Sequence, residues 1–90
     1  MFENLEQLMK TIRGRKNSSP DKSYTNKLLS DKSLSVAKVK EEIGELIDAV
    51  EQNSNKIHEA ADVIYHLMVY LEANNIKIED VMSELKRRQK

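Results

Sequence analysis

Two long stretches with helical periodicity, separated by only a few polar residues, constrain the fold of this chain more than any other feature. Apolar residues recur every three or four positions over 34–52 and again over 56–73, which is the spacing of one face of an α-helix. The "QNSN" between them, at 52–55, predicts a short turn. We therefore expect a long antiparallel helix hairpin at the centre of the fold. The apolar stripe of its first helix, which we expect to be core, consists of Val36, Val39, Ile43, Leu46, Ile47 and Val50.

The rest of the sequence predicts shorter helices on either side of this hairpin. Apolar spacing indicates helices over about 3–15, 24–30 and 78–88. The segment at 16–23, "KNSSPDKS", predicts a loop, because Pro20 disfavours helix in the residue before it. Ser23 is a suitable N-cap for the helix that follows. Since the chain has 2 glycines, 1 proline and 4% aromatic residues, strand signals are scarce. We predict an all-α bundle of about five helices, with 1–90 as one domain.

Composition excludes several functional classes. Cysteine is absent, so no disulfide, thiolate metal site or cysteine nucleophile exists. The sequence shows no targeting leader and no apolar run near the ~20 residues that span a bilayer, so we expect a cytoplasmic protein without a membrane partner. Charge is balanced overall but uneven: 1–40 has a net charge of +5, 41–62 of −6 and 63–90 of +1. An acidic centre with no broad basic surface argues against nucleic-acid binding.

The segment "HEAADVIYHLMVYL" at 58–71 is apolar around most of the predicted helix. Such a helix is typical of an interior position, and a single bundle of 90 residues has little interior. We therefore expect a homodimer, or a larger assembly, that buries this helix.

Acidic residues occupy matching places on the two helices of the hairpin. Glu42 and Glu45 lie one turn apart beside the apolar stripe, and Glu59 and Asp62 share a narrow face with His66. In an antiparallel hairpin both pairs of acids fall at about the same distance from the turn. Four carboxylates at one level repel one another unless a cation lies among them, and oxygen ligands suit Mg²⁺ or Mn²⁺. A solvated acidic face, or ion pairs with Lys38 or an arginine, would also satisfy these acids.

The order of the motifs resembles a known family. "EEIGE" at 41–45 and "EAAD" at 59–62 match the EExxE…ExxD pattern of the MazG-type, all-α nucleoside triphosphate pyrophosphatases. The chain is similar to the phosphoribosyl-ATP pyrophosphatases of histidine biosynthesis over almost its whole length. The further segments that carry this resemblance are "LEQLMKTIRGRK" (5–16), "SYTNKLL" (23–29), "YH" (65–66) and "IEDVMSELKRR" (78–88).

The resemblance implies an activity and a set of site residues. The expected reaction is the Mg²⁺-dependent hydrolysis of phosphoribosyl-ATP to phosphoribosyl-AMP and pyrophosphate, the second step of histidine biosynthesis, in an obligate dimer with a MazG-like helical fold. Mn²⁺ is a possible substitute for Mg²⁺. Glu41 would be an additional catalytic carboxylate that orients water. The carboxylates expected to bind the metal are Glu42, Glu45, Glu59 and Asp62.

The same resemblance suggests residues that contact the substrate. No glycine-rich phosphate loop is present, so side-chain cations are needed, and Arg15 and Lys38 are the expected ones, with Lys27 a weaker candidate. Thr25 and His66 are further substrate-binding candidates. Each of these residues also has a purely structural interpretation. The cations would be ordinary surface charges, and Thr25 would belong to a capped turn after Ser23 and Tyr24. His66 would be a buried, hydrogen-bonded histidine.

Two other functions remain open at this point. One is a MazG-type enzyme that hydrolyses non-standard or surplus nucleoside triphosphates, which would share the acidic residues. The other is a non-catalytic helical dimerisation module with a solvated acidic face. The chain also departs from the family pattern, because 30–35 lacks a glycine and Gly44 lies inside a helix, where it costs about 1 kcal/mol relative to alanine.

Overall fold

A computed structural model describes residues 2–89 of the chain. Within this range it contains α-helices and one 3₁₀ turn but no strand, which confirms the predicted all-α class. The elements in chain order are α1 (Glu3–Gly14), the 3₁₀ turn (Arg15–Asn17), α2 (Tyr24–Ser30), α3 (Lys32–Gln52), α4 (Lys56–Ala73) and α5 (Ile78–Arg88). The predicted bounds of α2, α4 and α5 agree with the structure. None of the helices within 2–89 is long and apolar enough to cross a membrane.

Polar side chains begin the two helices that precede the hairpin turn. Ser23 is the N-cap of α2, as predicted, and its hydroxyl accepts a hydrogen bond from the backbone N–H of Asn26 at 3.1 Å. Asp31 does the same for α3, accepting from the N–H of Leu34 at 3.1 Å. Because this cap starts the helix, α3 begins at Lys32, two residues before the predicted start.

The turn between α3 and α4 depends on asparagines. Asn53 and Asn55 both adopt left-handed backbone conformations, with φ of 55° and 51°. Asparagine tolerates this region better than other residues with a β-carbon. The N–H of Ser54 reaches back to the carbonyl of Ala49 at 3.0 Å and completes the end of α3. The chain therefore reverses within three residues, and the predicted antiparallel hairpin forms.

The core of the single chain lies between α1, α2 and α4. Ile12, Leu28 and Val69 are almost completely buried and pack with Met9 and Met68. The prediction that the whole α3 stripe is core is wrong for this single chain, because Ile43, Ile47 and Val50 are 44%, 53% and 57% exposed. The reason is geometric: α3 packs mainly on α4, and no further helix of the same chain covers the opposite side of the stripe.

An ion-pair network ties α1 to the C-terminal half of the chain. The buried carboxylate of Glu72 lies 2.7 Å from Nζ of Lys16 and 3.6 Å from Nε of Arg13. Arg13 also donates two hydrogen bonds to Glu79, at 2.9 and 2.6 Å. This paired contact lowers the pKa of Glu79 to about 2. The network holds α1, α4 and α5 in one arrangement.

Asn26 attaches α2 to the turn before it. Its side-chain amide is buried and donates to the carbonyl oxygens of Arg15 and Ser18 at 2.8 and 3.0 Å, with that of Lys16 at 3.5 Å. One side chain thus contacts three backbone carbonyls of 15–18, and it fixes α2 against the end of α1.

We predict that Asn26→Asp destabilises the fold by about 2 kcal/mol, because a carboxylate oxygen would replace the amide donor opposite the carbonyls. The control is Asn4→Asp on the exposed surface of α1, which should change the free energy of unfolding by less than about 0.5 kcal/mol. Urea denaturation at one protein concentration measures both variants. Equal effects in the two variants would contradict the role assigned to Asn26.

Candidate metal and active site

The hairpin brings the predicted acidic residues together. Glu42 and Glu45 lie one turn apart on α3, and Glu59 lies opposite them on α4. One carboxylate oxygen from each of these three residues lies within 4.8 Å of the others. This arrangement requires the antiparallel pairing and the short turn, since the three residues span 18 positions of sequence.

Asp62 belongs to an adjacent set rather than to the same one. Its carboxylate, an oxygen of Glu59 and a ring nitrogen of His58 lie within 4.8 Å of one another. Glu59 is therefore shared by two three-residue sets, where the sequence predicted one set of four. His58 was not among the predicted site residues. Its spacing of four residues before Asp62 on a helix was the available signal, and Nε2 of His58 lies 3.3 Å from Oδ2 of Asp62.

The electrostatics of the cluster disfavour its negative charge. Burial, followed by repulsion from Glu45, raises the pKa of Glu42 above its ordinary value. Burial also raises the pKa of Glu59, and Glu45 and Asp62 add to the effect. The Oε2 atoms of Glu42 and Glu59 are shielded from solvent and accept no hydrogen bond within the described residues.

The donor set fits a hard divalent cation. Mg²⁺ and Mn²⁺ bind carboxylate oxygens, usually one or two per ion together with waters and substrate phosphates. Two shielded carboxylate oxygens without partners are unusual in a folded protein, where buried polar atoms are normally satisfied. A cation between α3 and α4 would offset the negative charge that burial, and after it mutual repulsion, disfavours on Glu42 and Glu59.

Lys38 and Glu41 lie at the edge of this cluster and pair with each other. Nζ of Lys38 donates to Oε2 of Glu41 at 3.2 Å, and this contact is the main cause of the raised pKa of Lys38. Lys38 therefore does not provide the buried ion pair that was one alternative for the acids, and Glu41 belongs to neither of the three-residue sets. The electrostatic influence of Lys38 still reaches Glu42 and Tyr24.

A polar contact between α2 and α4 surrounds His66. The histidine is buried, and its Nδ1–H donates to the backbone carbonyl of Asp62 at 2.8 Å. In that tautomer Nε2 is an acceptor, and the hydroxyl of Tyr24 lies 3.4 Å from it. Thr25 and Tyr65 share a hydrogen bond of 2.5 Å between their hydroxyl oxygens. His66 thus hydrogen-bonds to the backbone of Asp62 and not to its carboxylate. Sequence spacing alone could not distinguish these two partners.

Arg15 lies beside the first turn of α2. Its backbone carbonyl accepts from Asn26, the residue after Thr25, while its side chain makes no ion pair within 2–89. Its guanidinium group is therefore available to an anionic ligand at the end of α1.

An all-α hairpin with carboxylates on its facing sides is the architecture that the sequence led us to expect of a MazG-type protein. Comparison with known proteins supports this interpretation. The family described as phosphoribosyl-ATP pyrophosphohydrolase matches residues 5–89. The chain is 41% identical over 88 residues to the phosphoribosyl-ATP pyrophosphatase of Dechloromonas aromatica, covering 94% of this chain and 82% of that protein.

Two further relatives agree. The phosphoribosyl-ATP pyrophosphatase of a Caulobacter species is 40% identical over 91 residues, covering 99% of this chain and 85% of that protein. The histidine biosynthesis bifunctional protein HisIE of Caldanaerobacter subterraneus is 42% identical over 94 residues, which cover 99% of this chain and 45% of that longer protein. The chain belongs to the phosphoribosyl-ATP pyrophosphohydrolase family.

We predict that Glu42→Gln stabilises the protein at pH 7 in the presence of a chelator. Between the ordinary and the raised pKa of Glu42, the folded chain binds more protons than the unfolded chain, so the free energy of unfolding decreases as pH rises through that range. A neutral glutamine removes this penalty. We expect a higher Tm for the variant at pH 7 and a smaller difference from the wild type at pH 4.

The matched control is Asp48→Asn, an exposed acid on the same helix, which should leave the Tm nearly unchanged. A lower Tm for Glu42→Gln at pH 7 would mean that the carboxylate has a stabilising partner. That result would contradict the electrostatic description of the cluster.

Proposed function

We propose that this chain hydrolyses phosphoribosyl-ATP to phosphoribosyl-AMP and pyrophosphate with Mg²⁺ bound between α3 and α4, Mn²⁺ being a possible substitute. Membership of the family makes the chain a hydrolase and places its reaction in histidine biosynthesis. It also decides against the non-catalytic dimerisation module. The expected cytoplasmic location and the expected lack of a nucleic-acid partner stay predictions.

The observation that carries the metal assignment is the pair of shielded, unpartnered oxygens on Glu42 and Glu59. In the proposed site Glu42 and Glu45 hold the cation from α3, and Glu59 and Asp62 from α4. Bound Mg²⁺ would supply charge neutralisation on the phosphates and a bound water of lowered pKa. The carboxylates fix where this charge lies, and the rigid hairpin keeps the arrangement preorganised.

The remaining roles follow from position. Hydrolysis requires that water attacks a phosphate and that the bond between the α- and β-phosphates breaks. We assign Glu41 to hydrogen-bonding the attacking water, because it adjoins the cluster without belonging to either ligand set. Its pairing with Lys38 leaves a cation next to the proposed position of the phosphates.

The substrate-binding surface extends from α3 towards α2. Lys38 has a partly exposed side chain beside the acidic cluster, and the backbone carbonyl of Arg15 accepts from Asn26 in the first turn of α2. Phosphoribosyl-ATP carries phosphate at both of its ends, so two separated cations match its shape. Thr25 and His66 line the α2–α4 contact between them, where His66 acts mainly by holding Tyr24 and the Asp62 backbone.

We also assign a homodimer, because one face of the hairpin is apolar and uncovered in the single chain. A second copy with the same face would bury these side chains in a four-helix arrangement, and burial is favourable by roughly 25 cal/mol per Å² of apolar surface. This accounts for the apolar character of α4 noted in the sequence. The exposed apolar residues of this hairpin face are Ile43, Ile47, Val50, Ile57, Ile64 and Leu67.

Loss of a metal ligand is the direct test of the reaction. Glu45→Gln and Asp62→Asn should each reduce pyrophosphate release from phosphoribosyl-ATP by more than about 100-fold, with unchanged helical circular dichroism, because each removes a charged ligand. Glu51→Gln, an exposed acid on α3 outside the cluster, should retain activity. Near-normal rates in either ligand variant would refute the metal assignment.

Substrate choice is tested in the same assay. We expect the wild-type chain with Mg²⁺ to prefer phosphoribosyl-ATP to a panel of ordinary and modified nucleoside triphosphates. A preference for the triphosphates would support the MazG-type house-cleaning alternative.

For the dimer, we predict that Ile47→Glu gives a monomer by light scattering coupled to size exclusion, since it introduces charge at the centre of the hairpin face. Leu85→Glu is a matched control, because Leu85 on α5 is also 53% exposed but lies outside this face. It should leave the molecular mass unchanged. A wild-type chain that is monomeric at all concentrations would refute the assembly.

A further inference from the structure

His58 is an imidazole placed at the acidic cluster without an evident structural purpose. It lies in the first turn of α4, and its side chain is 72% exposed. It makes no contribution to the core, and its polar contact within residues 2–89 is the 3.3 Å approach of Nε2 to Oδ2 of Asp62. A solvent-exposed pair of this kind adds little to stability. The position of the ring beside two proposed metal ligands therefore requires another explanation.

The distances around His58 are those of neighbouring ligands on one ion. Metal–ligand bonds of about 2.1 Å at right angles place adjacent ligand atoms about 3 Å apart, and opposite ones about 4.2 Å apart. The His58–Asp62 separation of 3.3 Å is close to the first value. The ligand atoms of His58, Glu59 and Asp62 all lie within 4.8 Å of one another, a range that includes the separation of about 4.2 Å between opposite ligands. Oε2 of Glu59 has no hydrogen-bond partner within residues 2–89.

We propose that His58 supplies a nitrogen ligand to the cation bound at this cluster, together with Glu59 and Asp62. The proposal rests on the cation site of the proposed function and extends its ligands from oxygen alone to oxygen and nitrogen. Imidazole favours transition-metal ions over Mg²⁺, and affinity for such sites rises from Mn²⁺ to Co²⁺. The site should therefore bind Mn²⁺ and Co²⁺ through a metal–nitrogen bond, which an all-carboxylate site lacks.

The other histidine of the chain does not offer the same bond. The sequence has 2 histidines, and His66 is buried with Nδ1 on the carbonyl of Asp62 and Nε2 facing Tyr24. His58 keeps a ring edge in solvent and Nε2 towards the carboxylates. A nitrogen signal from a bound metal ion is thus expected from His58 alone.

Pulsed electron paramagnetic resonance of Mn²⁺ bound to the full-length protein is the test. Wild-type protein should show the echo modulation of a directly bound ¹⁴N, and His58→Gln should lose it while still binding Mn²⁺. Circular dichroism checks that the variant is folded. Mn²⁺ binding without nitrogen modulation, persistence of the modulation in His58→Gln, or no Mn²⁺ binding at all would each overturn the proposal.

Calorimetry separates direct ligation from mere orientation of Asp62. Ligation predicts that His58→Gln weakens Co²⁺ binding by about tenfold or more, with a clearly smaller effect on Mg²⁺. Equal losses for both ions would mean that His58 only positions the carboxylate, and would overturn the proposal. Lys56→Gln, one turn from the cluster on the exposed start of α4, is the control and should leave both affinities unchanged.

These outcomes are distinct from failure of the proposed function. If His58 is not a ligand but the enzyme acts on phosphoribosyl-ATP with Mg²⁺, only the present inference is lost. If wild-type protein releases no pyrophosphate although Mn²⁺ shows bound nitrogen, the proposed reaction is wrong and the ligand assignment stands.

Discussion

Repulsion among carboxylates held between the packed helices α3 and α4 sets the electrostatics of the hairpin. Glu42, Glu45 and Glu59 lie close together, and part of their oxygen surface is removed from water. Packing elsewhere, chiefly in the core between α1, α2 and α4, offsets this cost. A cation that bound the folded hairpin and not the unfolded chain would therefore stabilise the fold by mass action.

The cations of the chain are arranged around this negative centre rather than within it. Lys38 is held by Glu41, and Arg13 and Lys16 are held by Glu72 and Glu79 on the other side of the molecule. Arg13 and Lys16 of the basic N-terminal segment thus pair with acids outside the acidic middle segment, whereas Lys38 pairs with Glu41 within it. In the site proposed above, a cation would bind at the acidic cluster, and Lys38 would meet the substrate at its edge.

The sequence predicted the elements well because local signals agreed with the tertiary structure. The apolar period and the "QNSN" turn predicted the hairpin, and Ser23 as an N-cap predicted the start of α2. The start of α3 was misplaced because the capping role of Asp31 competed with the pattern, which becomes apolar only at Leu34.

The site was harder to predict than the fold. Helix spacing places an acid on a face but does not fix the rotation and offset of α4 against α3, so one set of four ligands was expected where two overlapping sets occur. The hydrogen-bond partner of a side chain, such as Glu41 for Lys38 or a backbone carbonyl for His66, depends on rotamers that sequence spacing does not determine. Ile47 belongs to the predicted apolar stripe and yet is 53% exposed in the single chain, because apolar periodicity does not specify which part of a stripe a neighbouring helix covers.

The asparagine turn at 53–55 has a consequence for how such a site is inherited. Adding one residue there would advance α4 by about 100° of rotation and 1.5 Å along its axis relative to α3, if the helix start moved with it. Every carboxylate would still be present in the sequence, yet Glu59 would no longer face Glu42 and Glu45. The site is therefore encoded by the length of a loop as well as by the identity of its acids. A relative with all the motif residues and a longer turn need not share the arrangement that they form here.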